Sequence, residues 1–89
     1  MTRPTATVRI NTSYTTLRIG RQYARNLKSV LGREFPDWDI RVIPGSADEV
    51  VLPIEDGLEN FRTEFRVRAL MTESLTKAVD DCKNNLDQL

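Results

Sequence analysis

The chain has 89 residues, in which 13 Lys and Arg balance 13 Asp and Glu and His is absent, so the formal net charge is zero. A chain of this length is typical of one domain, and we expect residues 1–89 to form a single one. Hydrophobic residues at 39% and charged residues at 29% exclude a disordered tail or a fibre and indicate an ordinary globular domain.

The missing residue types exclude several chemistries. Without His, the chain has no side chain whose unperturbed pKa lies near neutrality, and it cannot form Ser–His or Cys–His nucleophile pairs. The single cysteine, Cys82, cannot form a disulfide within the chain or supply a zinc site alone. No glycine-rich phosphate-binding motif occurs, and neighbouring acids such as Asp80 and Asp81 point apart on a helix. We therefore predict a protein that is not an enzyme and has neither a metal nor a cofactor.

The first residues and the longest apolar run bear on localisation. The segment from Met1 to Pro4 is polar and lacks the apolar run of a signal peptide. The longest apolar run, residues 50–54, is far shorter than the roughly 20 residues that span a bilayer. We therefore expect a soluble, cytoplasmic protein with no membrane partner.

The first half of the chain predicts a strand followed by a helix. Residues 5–10 alternate polar and apolar side chains, which is the period of a half-buried strand. From residue 16 to residue 35 the apolar residues recur at helical spacing, and Pro36 ends that helix. The predicted core face of the helix consists of Leu17, Gly20, Tyr23, Ala24, Leu27, Val30 and Leu31.

Alternation of polar and apolar residues returns after the helix. It predicts three further strands, over residues 37–43, 49–55 and 61–70. In the last of these, Phe61 and Phe65 are expected to point inward and the Arg and Glu residues between them outward. Pro53 cannot donate a ladder hydrogen bond, so the strand that contains it is expected at a sheet edge or at a bulge.

The last part of the chain predicts a second helix. It is expected to begin with Thr72 as its N-cap and to run to the C-terminus. Cys82 is expected in the middle of its apolar side, which ends at Leu86 and Leu89. A cysteine in that position is predicted to be a core residue. The predicted fold is therefore a two-layer α+β domain of order β-α-β-β-β-α, in which two helices pack on one face of a four-stranded mixed or antiparallel sheet.

The polar side of the first predicted helix carries four cations, here called the basic stripe: Arg18, Arg21, Arg25 and Lys28. Their 3-4-3 spacing places them on one side of a helix. Cations in the first turns oppose the helix dipole, so helix stability alone does not account for them. Because Arg offers a planar fork to phosphate and carboxylate groups, the stripe is a candidate surface for nucleic acid or for an acidic protein. The alternative is an ordinary solvated helix surface.

The open face of the predicted sheet is the second candidate surface. The arginines expected on it are Arg9, Arg41, Arg62, Arg66 and Arg68. The neighbours expected beside them are Asp39, Glu55, Glu64, Ile43, Val51 and Leu70. Arginine beside exposed aliphatic side chains is typical of protein interfaces, although cross-strand charge pairs can also simply stabilise a solvated sheet. With both Phe side chains turned inward, the face would lack the aromatic rings that stack on RNA bases.

These features favour a small protein-interaction module without catalytic activity, such as an accessory or inhibitor protein that acts by occupying the surface of a partner protein. The second hypothesis is a nucleic-acid-binding domain that uses the basic stripe, and the third is a structural subunit of a homo-oligomer. The predicted layout of strand, basic helix, hairpin and terminal helix is similar to that of several small phage-encoded proteins that bind host factors. This likeness favours a binding protein.

The zero net charge conceals a division along the chain. Residues 1–45 contain eight Lys and Arg against three Asp and Glu, whereas residues 46–89 contain five against ten. The two halves therefore carry +5 and −5. This asymmetry is compatible with head-to-tail self-association as well as with binding to a charged partner.

Overall fold

The computed structural model describes residues 3–54 and 57–87, with side chains described as far as residue 83. Its elements, in chain order, are β1 (Thr5–Asn11), α1 (Leu17–Glu34), β2 (Asp39–Gly45), β3 (Glu49–Val51) and α2 (Gly57–Asp87). The predicted α+β class is confirmed. The sheet formed by the described residues has three strands, however, and the element order is β-α-β-β-α.

Strand β1 lies at the centre of a mixed sheet of order β2-β1-β3. It pairs in parallel with β2 and antiparallel with β3, so that Val8 faces Val42 on one side and Val50 on the other. The parallel pairing requires a crossover connection between β1 and β2, and α1 provides it. Because β2 and β3 each pair with β1, the expected hairpin does not form between them, and both are edge strands.

The fourth strand predicted over residues 61–70 is wrong, because this segment belongs to α2. Val67 and Leu70 follow the helical period and are buried, whereas Phe61 and Phe65, expected to point inward, are exposed. The Arg and Glu residues of the segment are good helix formers, so local propensity supports the helix. One long helix therefore replaces the predicted strand and the shorter helix after it.

Helix α2 begins at Gly57, whose φ of +84° lies in the left-handed region that glycine adopts without strain. The predicted N-cap, Thr72, instead lies inside the helix, where its Oγ1 donates a hydrogen bond to the backbone oxygen of Arg68 at 3.3 Å. The side chains of Leu86 and Leu89, predicted to end the apolar side of the second helix, lie outside the described residues.

Helix α1 agrees closely with its prediction. Thr16 is its N-cap, because its side chain accepts a hydrogen bond from the backbone N–H of Ile19 at 3.2 Å. Leu17 departs from the prediction, since it is exposed rather than part of the core face. Strand β3 is also shorter than predicted and ends at Val51, before Pro53, which has no N–H to donate.

The core lies between the helices and one face of the sheet. Alternate side chains of β1 are buried there with residues of both helices, so the two helices cover the same face, as predicted. Its buried members are Ala6, Val8, Ile10, Tyr23, Leu27, Leu31, Ile40, Val67, Leu70, Met71 and Ala78. Cys82 is also buried, as expected of a core cysteine. None of the described helices is long and apolar enough to cross a membrane.

Candidate functional site

The structure places the basic stripe on the side of α1 that faces away from the core. Its four side chains are all exposed, and the first turn of the helix holds no acidic residue. Thr16 accepts a hydrogen bond from the backbone N–H of Ile19 at the helix start, whereas Arg18 and Arg21 carry only donors and cannot cap the free N–H groups there. The predicted geometry of the stripe is therefore present, with two of its cations, Arg18 and Arg21, in the first turns at the positive end of the helix dipole.

The stripe keeps its positive charge open to a ligand. None of the ion pairs found among the described residues includes any of its four members. Leu17, Arg18, Arg21 and Arg25 line a shallow groove of about 390 Å³, and Arg21 and Leu17 also line a neighbouring groove of about 410 Å³ that includes Thr12. The exposed apolar side chain of Leu17 thus lies among the cations of the basic stripe.

The predicted open sheet face contains only part of the expected arginine cluster. Arg9 and Arg41 lie on β1 and β2, and the Nε of Arg9 lies 3.9 Å from Glu49 on β3. The assignment of three further arginines to this face is wrong, because residues 61–70 are helical and these arginines lie on α2: Arg62, Arg66 and Arg68. Of the expected neighbours, Glu55 lies outside the described residues, and Glu64 and Leu70 also lie on α2. The sheet face is accordingly less basic than expected.

Two of the three α2 arginines are held by carboxylates. The Nε of Arg66 donates a hydrogen bond to Glu34 at 2.8 Å, which connects α2 to the last residue of α1. This hydrogen bond is the main cause that lowers the pKa of Glu34 and raises the pKa of Arg66. Arg68 lies 3.6 Å from Glu64 on its own helix. Arg62 is exposed and takes part in none of the ion pairs found among the described residues.

The N-terminal part of α2 carries an exposed apolar surface that sequence reasoning missed. Leu58, Phe61 and Phe65, here called the apolar stripe, are 64%, 67% and 71% exposed. Positions three and four apart meet on one helix face, so the three side chains adjoin one another. Their spacing was the signal that could have revealed this surface, but the alternating pattern of residues 61–70 assigned both Phe side chains to the core.

The apolar stripe continues towards the edge of the sheet. Phe61 shares a groove of about 470 Å³ with Val51 of β3, which is itself exposed. Asn60 lies in the same groove, and its side-chain amide donates a hydrogen bond to the backbone oxygen of Ile54 at 3.2 Å. This bond ties the segment after β3 to the first turn of α2, so the edge strand and the apolar stripe form one surface.

A fourth depression, of about 220 Å³, is lined in part by two tyrosines. Tyr14, Tyr23, Asp48 and Arg68 are among its lining residues. Burial, assisted by the charge of Asp48, raises the pKa of Tyr23 above its ordinary value, so its hydroxyl stays protonated at neutral pH. Asp48 accepts a hydrogen bond from the backbone N–H of Asn11 at 2.7 Å, which is a structural role. Among the described residues no cluster of three or more acidic or cysteine side chains could hold a metal ion.

Comparisons of the chain with protein families, with curated proteins and with solved structures found no significant match. The likeness to small phage-encoded binding proteins was based on a layout with a hairpin, which the observed strand order does not contain.

Proposed function

We propose that the protein is a small interaction module, of an accessory or inhibitor type, that acts by binding a partner protein and performs no catalysis of its own. The observation that carries this proposal is the apolar stripe on α2. Covering these three adjoining large apolar side chains with a partner would yield a favourable free energy of about 25 cal/mol for each Å² removed from water. Contiguous exposed apolar patches are accordingly typical of binding surfaces, and aromatic side chains are enriched among interface anchors.

The placement of the stripe also supports binding. Phe61 and Phe65 do not serve the core, which is formed on the other side of α2 by residues such as Val67 and Leu70. We therefore expect their replacement to leave the fold intact, since the core does not use their apolar side chains. The edge strand beside them adds unpaired backbone groups that a partner can also contact.

The test compares the proteins retained from a cell extract by three immobilised forms of the chain. The forms are the wild type, the double variant Phe61→Gln/Phe65→Gln, and Tyr14→Gln as a control that removes an equally exposed aromatic elsewhere. We expect at least one protein to be retained by the wild type and the control but lost with the double variant. Identical sets of retained proteins for all three forms would refute the proposal.

A second candidate function is binding to the backbone of a nucleic acid through the basic stripe. It is favoured by the four exposed cations that span about 15 Å of α1 and have no carboxylate partner among the described residues. Such binding is expected to be salt-dependent, because each phosphate contact releases counterions. The absence of a gel shift with duplex or single-stranded nucleic acid at about 50 mM salt would refute it.

A further inference from the structure

We propose that the partner that covers the apolar stripe is a second copy of this chain, docked antiparallel along α2. This inference depends on the proposed function, because it names the occupant of the same surface. A helix of 31 residues is about 46 Å long, and the longest dimension of the molecule is 47 Å. Helix α2 therefore offers a side that runs the length of the protein.

The exposed side of α2 continues the apolar stripe at a seven-residue interval. Phe65 is followed at this spacing by Thr72 and Val79, and Leu58 precedes it by the same interval. All four are exposed. A straight helix drifts by only about 20° per seven residues, so the four positions remain on one side. A seven-residue repeat of this kind is the pattern along which two helices pack against each other.

Thr72 and Thr76 on this side do not oppose its burial, and Lys83, 18 residues after Phe65, lies near the end of the seam, where its long side chain can keep the ammonium group in solvent. The Oγ1 of Thr72 donates a hydrogen bond to the backbone oxygen of Arg68 at 3.3 Å, and the Oγ1 of Thr76 donates one to the backbone oxygen of Thr72 at 3.0 Å. Both hydroxyl groups therefore keep a hydrogen-bond partner when water is excluded from the seam. Neither threonine would be left with the penalty of a buried donor that has no acceptor.

The charges beside the stripe select the antiparallel orientation. Arg62 and Asp80 are 18 residues apart, which is about five helical turns, so they lie at the same angle on one flank of the exposed side. Both are exposed, and neither belongs to an ion pair found among the described residues. A two-fold axis midway between them brings Arg62 of each copy next to Asp80 of the other. A parallel arrangement would instead place the two Arg62 side chains at the same height on opposite sides of the seam, where neither meets Asp80 of the other copy.

Sedimentation velocity of the purified full-length chain, at concentrations up to about 1 mM, tests the proposal. We expect the mass to rise from 10.2 kDa to twice that value, and Phe65→Gln to abolish the rise. Arg62→Glu and Asp80→Arg should each raise the dimer Kd by about two- to tenfold at low salt, because each places like charges in opposition. The combined swap Arg62→Glu/Asp80→Arg should restore the wild-type Kd. All these residues are exposed, and unchanged unfolding midpoints of the dilute, monomeric protein would confirm that the variants fold.

A wild-type chain that stays monomeric at the highest concentration would overturn the proposal, as would a dimer that Phe65→Gln leaves unchanged. A dimer that depends on Phe65 but is not rescued by the double charge swap would overturn the antiparallel arrangement. The two proposals can fail independently. If the wild-type chain is monomeric and the variant Phe61→Gln/Phe65→Gln no longer retains a protein that the wild type captures, only self-association is refuted. If the chain is monomeric and the variant retains the same proteins as the wild type, both proposals are refuted.

Discussion

Arg66 and Glu34 join the two helices of the protein, with the arginine Nε 2.8 Å from the glutamate Oε1. Because this hydrogen bond stabilises the carboxylate, it lowers the pKa of Glu34 below its usual value of 4.5. The unfolded chain therefore binds this proton more readily than the folded chain does. The stabilising contribution of Glu34 is present above pH 4.5 and is lost as the pH falls through the lowered pKa.

We therefore expect Glu34→Gln to lower the free energy of unfolding slightly at neutral pH, where both groups are charged. The difference from the wild type should vanish in acid. Chemical denaturation at a series of pH values measures it, and Arg66→Gln provides the control. In the Arg66→Gln background, Glu34→Gln should have no effect at any pH, and a loss of stability that persists there would contradict the assignment.

Two glycines of α1 provide a matched pair for stability. A Cβ at Gly32 would meet nothing within 4 Å, so Gly32→Ala should stabilise the protein by about 0.5–1 kcal/mol through helix propensity alone. A Cβ at Gly20 would lie 3.2 Å from both Thr12 and Thr15, which offsets the same gain. Thermal unfolding should show a higher midpoint for Gly32→Ala than for Gly20→Ala. The reverse order would contradict the close approach at Gly20.

The two faces of α2 are distinguished by a pair of alanine substitutions. Leu70 is 2% exposed and Phe65 is 71% exposed. Leu70→Ala should therefore cost about 2–5 kcal/mol of unfolding free energy, whereas Phe65→Ala should change it by no more than about 0.5 kcal/mol. Urea denaturation of dilute protein measures both. A strand over residues 61–70 with Phe65 inward would give the opposite result.

The strand prediction failed because residues 61–70 satisfy two periods at once. Phe61 and Phe65 are separated by four residues, so they share a side in a strand and also in a helix. The segment carries one apolar face towards the core and another away from it, which makes the local pattern look like alternation. Only packing against α1 and β1 decides between the two structures, and a single sequence does not contain that information.

Helix α1 and its basic stripe could be predicted because their signals are local. Thr16 caps the helix and Pro36 ends it, and the spacing of Arg18, Arg21 and Arg25 alone determines their shared side. The arginines assigned to the sheet face depended on which elements pair in space. Three of those five were misplaced once the fourth strand proved to be helical.

The basic stripe predicts a salt dependence if the protein binds nucleic acid. Four phosphate contacts on duplex DNA would make log K fall against log salt with a slope of about −3.6. Arg21→Gln/Arg25→Gln should reduce that slope by about 1.8, whatever the base sequence. Arg3→Gln/Arg33→Gln, which removes two exposed charges outside the stripe, is the control for the change of net charge. Fluorescence anisotropy titrations measure these slopes, and equal slopes for both variants would contradict a role for the stripe.

Photo-crosslinking tests most directly whether a protein contacts the apolar stripe of α2. p-Benzoylphenylalanine in place of Phe61 keeps an aromatic ring in the stripe, and the same probe in place of Tyr14 samples an equally exposed position elsewhere. Irradiation in cell extract, and of the purified chain alone, should give protein adducts from position 61 but not from position 14. An adduct in the purified sample identifies the second copy. No adduct from position 61, or equal adducts from both positions, would contradict the claim.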